Sequence, residues 1–156
     1  MLRASLASIG RGIVLYEEIH EKQYENNPNV HQKFLEQLKK VIPSKCKPVI
    51  VTDAGFKNPW FKAVASLGWD YVGRIRGLTS IHDGADYLPV KQWFGHIKNK
   101  AAYLGELLVA KTNPIKAHCY SYKHILKGRK KYGRIKRDQV AIKASKGYRE
   151  PWISYP

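Results

Sequence analysis

The feature that most constrains this fold is a short apolar run set between two helix-start signals. Pro48-Val-Ile-Val-Thr52 carries no charged side chain. A run of that length without polar alternation predicts a central strand buried on both faces. Asn27-Pro28 precedes it and Asn58-Pro59 follows it. Asn as N-cap with Pro at the first helical position opens a helix. After the first signal, Val30, Phe34, Leu35, Leu38, Val41 and Ile42 recur on one helical face, and Pro43 ends it. After the second, Trp60, Phe61, Val64 and Leu67 form an apolar face, with Gly68 as the stop.

The flanking segments extend this pattern. Residues 2–7 and Ile13-Val-Leu-Tyr16 read as two strands, with Ser8-Ile-Gly-Arg-Gly12 as a hairpin connection. Trp69 to Arg76 reads as another strand. Trp69, Tyr71, Gly73 and Ile75 point one way; Asp70, Val72, Arg74 and Arg76 point the other. The order strand, strand, helix, strand, helix, strand predicts an α/β sheet with a hairpin at its beginning. After Gly77 the character becomes mostly β. Asp83-Gly84 is a turn signal, and Leu104–Ala110 and Ile115–Tyr122 form a hairpin around Thr112-Asn-Pro114. Pro151-Trp-Ile-Ser-Tyr155 reads as a last strand. The expected organisation is therefore a core over residues 1–77, a β-rich basic insertion over 78–150 and a return strand over 151–156.

Charge narrows the partners. The 156 residues carry a formal charge of +16. Residues 111–156 hold 13 of the 28 basic side chains and only 2 of the 12 acidic ones. The densest part is an arm over residues 127–137: Lys127, Arg129, Lys130, Lys131, Arg134, Lys136 and Arg137, with no acid among them. One reading is a solvated loop that keeps the chain soluble; the other is a phosphate-binding arm, with Tyr132 as a stacking ring. A polyanion relieves the self-repulsion of such a block, so nucleic acid is the expected partner. No apolar run approaches the roughly 18 residues of a membrane span, and no signal peptide is expected. Cys46 and Cys119 make no disulfide framework, so a reducing cytoplasm is the expected compartment.

Candidate chemistry concentrates on Asp53. A carboxylate at the carboxyl end of a buried strand, ahead of a helix, stands where α/β sheets place ligands, and it can bind Mg²⁺ through oxygen. The competing reading is a turn cap within Asp53-Ala-Gly-Phe56. Glu17, Glu18, Glu21 and Glu25 read as a solvated acidic cluster. The six histidines have no paired spacing for structural zinc, and neither cysteine has a motif that lowers its pKa. Trp152, near Arg149, is either a stacking platform or a core strand residue.

Several stretches resemble one family. Arg11-Gly-Ile-Val-Leu-Tyr-Glu-Glu-Ile-His20 looks like the third core strand of bacterial DDE transposases of the IS-four insertion-sequence group. Thr52-Asp-Ala-Gly-Phe56, Asn58-Pro-Trp-Phe61 and Gly73-Arg-Ile-Arg76 resemble the segment around that group's second catalytic Asp. Lys111-Thr-Asn-Pro-Ile115 and Arg149-Glu-Pro-Trp152 match stretches inside and after its β insertion. The resemblance implies a ribonuclease-H-like fold, incomplete here, interrupted by the insertion. It implies cut-and-paste DNA transposition with three carboxylates holding two Mg²⁺ (or Mn²⁺) ions for in-line displacement at a phosphodiester.

The resemblance makes Asp53 the second catalytic Asp and a metal ligand. Within the resemblance Trp152 stands beside an extruded base, while in a DNA-binding module Arg74, Arg76 and the 127–137 arm would contact phosphates. DNA ends, target DNA and a second copy of the chain are the implied partners, in a bacterial cytoplasm. The family's first Asp would precede Met1, and its Glu helix would follow Pro156. Tyr71 and Arg74 have the first spacing of that helix pattern, but Leu78 stands at the Glu position, and Glu150 belongs to the Arg-Glu-Pro-Trp stretch. The expectation is a transposase fragment, inactive alone, or else a non-catalytic basic DNA-binding module.

Overall fold

In the computed structural model the described residues are 1–77, 79–123 and 151–155. The 127–137 arm, Leu78, Arg149 and Glu150 lie outside them. The chain is mixed α/β and divides into two compact units, Met1–Gly73 and Arg74–Pro156.

The first unit opens with β1 (Leu2–Ser8) and β2 (Arg11–Glu18), paired antiparallel with Ser8 opposite Arg11. The tight turn between them needs Gly10, whose φ of +79° suits a residue without a Cβ. Helix α1 (Pro28–Val41) starts where Asn27 predicts: its side chain accepts from the backbone N–H of Asn29 at 2.9 Å and of Val30 at 3.4 Å. These two bonds satisfy donors that the first helical turn leaves unpaired. Phe34, Leu35 and Leu38 are buried, whereas Val41 at the helix end is exposed.

Strand β3 (Val49–Thr52) runs parallel to β4 (Asp70–Ile75), with Val49 opposite Asp70. Between them lies α2 (Asn58–Ser66). Here the structure differs from the sequence pattern: Lys57 is the N-cap and makes no side-chain cap, while Asn58 is buried inside the first turn. Gly68 ends the segment in the left-handed region, at φ +76°.

The aromatic core of this unit joins both helices and the hairpin. Phe34 meets Tyr16 at 5.2 Å between ring centroids, and Phe56 meets Trp60 at 4.5 Å.

Two expectations are corrected here. The β1–β2 hairpin is a separate two-stranded sheet and not the start of the sheet that contains β3. And β3 is not buried on both faces: Val49 is 55% exposed and Val51 72%. β3 pairs with β4 on one side, and among the described residues no strand pairs with its other edge.

The second unit orders its strands β9-β8-β7-β5-β6. They are β5 (Ser80–His82), β6 (Tyr87–Pro89), β7 (Ala102–Val109), β8 (Ile115–Tyr122) and β9 (Trp152–Tyr155); the four-residue helix α3 (Val90–Trp93) follows β6. The β5–β6 turn is tied by Asp83, whose Oδ1 accepts from the N–H of Ala85 at 3.0 Å and Asp86 at 3.3 Å. Those bonds hold the Asp83 carboxyl below its usual range. Along β8, Ala117, Cys119 and Ser121 are buried while Lys116, His118, Tyr120 and Tyr122 are exposed. That is the predicted alternation of a strand with one core face. β9 pairs antiparallel with β8, Tyr122 opposite Trp152.

Candidate functional site

Asp53 stands one residue beyond the carboxyl end of β3 and is exposed. Its Oδ1 accepts from the Gly55 backbone N–H at 2.9 Å. A Cβ on Gly55 would come within 3.0 Å of that same oxygen, so a side chain there would crowd the carboxylate. The turn-capping reading of Asp53 is realised in the structure. It leaves the carboxylate on a cavity of about 570 Å³ that is also lined by Glu21, Glu25, His20 and His31.

The walls of that cavity come from three places in the sequence. His20 Nε2 lies 2.8 Å from Glu18 Oε2, and Tyr16 donates its hydroxyl to the other Glu18 oxygen. The Glu18 bond and its charge raise the Tyr16 pKa. Burial, with a smaller contribution from the charge of His20, lowers the pKa of His31. The His31 ring packs edge-on to Trp60, with centroids 5.3 Å apart. The sequence reading treated Glu21 and Glu25 as solvated and gave His31 no role. Their shared cavity with Asp53 depends on how β2 leads into α1, which no local motif encodes.

The described residues do not by themselves make a two-metal site. Among the described residues no group of three or more His, Cys, Asp or Glu side chains comes close enough to hold a metal ion.

Among the residues expected to contact DNA, Arg74 is half-buried in β4 and Arg76 is exposed just after it; both belong to the second unit. Trp152 opens β9. The seven arm residues, Lys127 to Arg137, lie outside the described residues. The sequence reading missed an exposed aromatic face on the β7–β8 hairpin. Tyr103 and Tyr120 lie cross-strand with rings 5.1 Å apart, and the Tyr103 hydroxyl is 2.7 Å from His118 Nδ1. Lys116 pairs with Glu106 at 2.6 Å on the neighbouring positions, which lowers the Glu106 pKa. Cys119 lies beneath the hairpin, and burial pushes its thiol up to about 12.

The family model described as the transposase DDE domain matches residues 10–148. The chain belongs to the transposase DDE domain family. No curated protein and no solved structure matches it. The matched region of this DDE domain chain takes in Asp53, the cavity residues His20 to His31 and the aromatic hairpin face. It begins within the β1–β2 turn, so most of β1 lies outside the match. No helix among the described residues is long and apolar enough to cross a membrane.

Proposed function

We propose that this chain forms part of the DNA-handling core of an insertion-sequence transposase of the IS-four type. Its β-rich unit would grip DNA, and Asp53 would be one of the carboxylates that hold Mg²⁺ or Mn²⁺. The observation that carries this reading is the family match over residues 10–148. The position of Asp53, just beyond the carboxyl end of β3 on an acidic cavity, supports it. The mixed α/β order supports a ribonuclease-H-like core with a β insertion. A displacement at phosphorus with two metal ions needs more carboxylates than the described residues bring together. Cleavage by this chain therefore calls for carboxylates beyond Asp53, and DNA binding is the activity expected of it alone.

The aromatic hairpin face favours binding in its own right. Tyrosines exposed beside lysine and histidine can stack on unpaired bases while the cations meet phosphates. Arg74, Arg76 and the 127–137 arm supply further charge, and Trp152 is the proposed contact to an extruded base. In the intact family a pair of chains would work on two DNA ends in a bacterial cytoplasm.

The test is fluorescence anisotropy of labelled transposon-end DNA across a salt series. A log–log slope of about −0.9 per neutralised phosphate is expected. Affinity that stays flat in salt would refute phosphate binding. In parallel, the chain incubated with end-labelled DNA and Mn²⁺ should leave it intact. Metal-dependent nicking that Asp53→Asn abolishes would refute the expectation that the chain is inactive alone.

A further inference from the structure

A larger cavity, of about 650 Å³, lies in the first unit and shares no lining residue with the acidic one. It sits at the other end of β3. Lys47 lines it just before that strand, whereas Asp53 follows the strand. The six steps from Lys47 to Asp53 span roughly 20 Å at the strand rise of about 3.3 Å per residue.

Three segments build this cavity. The last turn of α1 gives Lys39 and Lys40, the loop after it gives Ser44, Cys46 and Lys47, and the end of α2 gives Leu67. The loop turns back on itself. The Cys46 N–H donates to the Pro43 carbonyl at 2.8 Å, which puts Ser44 and Lys45 at an exposed tip.

Charge sets this end of the unit apart. Lys39, Lys40, Lys45 and Lys47 fall within nine residues, and Asp53 is the one acid between residues 37 and 69. Lys47 reaches Asp70 at 3.1 Å, with both side chains mostly exposed. Lys40 donates to the Gln37 amide oxygen at 3.2 Å, which leaves its charge unneutralised. Lys39 and Lys45 have no partner among the described residues. Lysines in a helix's last turn offset its carbonyl end, and that accounts for Lys39 and Lys40. It does not account for Lys45 and Lys47, which lie beyond the helix. A gathering of like charges repels itself unless a polyanion relieves it.

We propose that this lysine-lined end of the first unit binds the phosphate backbone of duplex DNA, on a segment other than the one presented to Asp53. The proposal rests on the DNA-handling reading and adds a second contact to it, at the opposite end of β3. Phosphate fits the lining better than carboxylate does. Lysine meets phosphate as a point charge, whereas carboxylate recognition favours the arginine fork, and no arginine lines the cavity. Between the lysines, exposed Val41 and Pro43 offer aliphatic surface to the sugars.

Cys46 supplies the probe. It is an exposed free thiol between Lys45 and Lys47, whereas Cys119 is buried and its thiol is pushed up to about 12. A neutral maleimide at neutral pH therefore labels Cys46 and spares Cys119 while the full chain is folded. The labelling rate is read by mass spectrometry with and without a saturating duplex of about 20 base pairs. Its sequence is arbitrary, because phosphate contacts carry no sequence information. At roughly 0.15 M salt, charge effects fade over about 8 Å, so DNA held elsewhere on the chain leaves the rate alone.

The duplex is expected to slow Cys46 labelling at least fivefold. The triple variant Lys39→Gln, Lys40→Gln, Lys45→Gln should lose that protection, and its log–log salt slope should become shallower by about 0.9 for each lysine removed. Cys119 should stay unlabelled in every arm, which shows that the variant is folded. Duplex that binds by anisotropy yet leaves the Cys46 rate of the unaltered chain unchanged would overturn the proposal and leave the DNA-handling reading standing. Duplex that does not bind at all would overturn both. A polyglutamate peptide that protects Cys46 where the duplex does not would overturn the proposal in favour of an acidic protein partner.

Discussion

Strands β3 and β8 teach opposite lessons about how a pattern finds its partners. β8 alternates, carries β7 on one edge and β9 on the other, and buries Ala117, Cys119 and Ser121 as its sequence predicts. β3 is apolar at nearly every position, as a strand covered on both faces would be, yet it pairs on one edge and exposes Val49 and Val51. The pattern of β8 is satisfied by the described residues. The pattern of β3 is written for neighbours that those residues do not supply.

The largest effect that sharpens this contrast is on stability. Ile81 in β5 is fully buried. Ile81→Ala should cost about 2–5 kcal/mol, from lost transfer energy and the cavity left behind. Val51→Ala, at a position 72% exposed, should stay within about 0.5 kcal/mol. Urea unfolding of both variants measures this. An equal loss in both would show that β3 is covered in solution after all.

The next effect concerns the exposed side of the β-rich unit. Tyr103 is 55% exposed and Tyr120 43%, so neither supports a core. Tyr120→Ala should weaken binding of single-stranded or end-distorted DNA by about 1–3 kcal/mol per stacked base. Tyr120→Phe should retain most of that affinity, since stacking needs the ring and not the hydroxyl. If the two variants behave alike, or if the chain's folding changes with Tyr120→Ala, the face is not a stacking platform.

A smaller effect separates the two Asn-Pro signals. Asn27 caps α1 with two hydrogen bonds, whereas Asn58 sits inside the first turn of α2 and Lys57 offers no side-chain cap. Asn27→Ala should therefore destabilise by about 1 kcal/mol. Lys57→Ala should do nearly nothing, and thermal melts of the pair test it. The comparison shows where sequence signals stop being sufficient. The motif is identical at both sites, but α1 begins at its Pro and α2 at its Asn.

Other features divide along the same line. Gly10, Gly68 and the Asp83-Gly84 turn are legible because a positive φ or a side-chain-to-backbone bond is decided within a few residues. The Asp53 position is legible for the same reason: strand, carboxylate and turn are contiguous. The Tyr103–Tyr120 face was not, because it depends on cross-strand register, which shifts between Tyr103 and Gly105.

The smallest predicted effect is one of pH, and the range in which it falls distinguishes the two units. His31, in the first unit, is held below the ordinary imidazole value, chiefly by burial. The unfolded chain therefore takes up the proton first as pH falls through about 6.5. Stability contributed by His31 is present in full above that range and declines as pH moves below it. Asp83 and Glu106, in the second unit, are also shifted down, but as carboxylates they lose their contribution only as pH falls below about 4. Urea midpoints measured between pH 7 and pH 5 should thus decline through His31 and not through those carboxylates. His31→Gln should flatten that limb and leave the fall below about pH 4 in place. A limb of unchanged slope in the variant would mean that His31 is solvated, and that the aromatic packing around Trp60 is looser than its ring distances indicate.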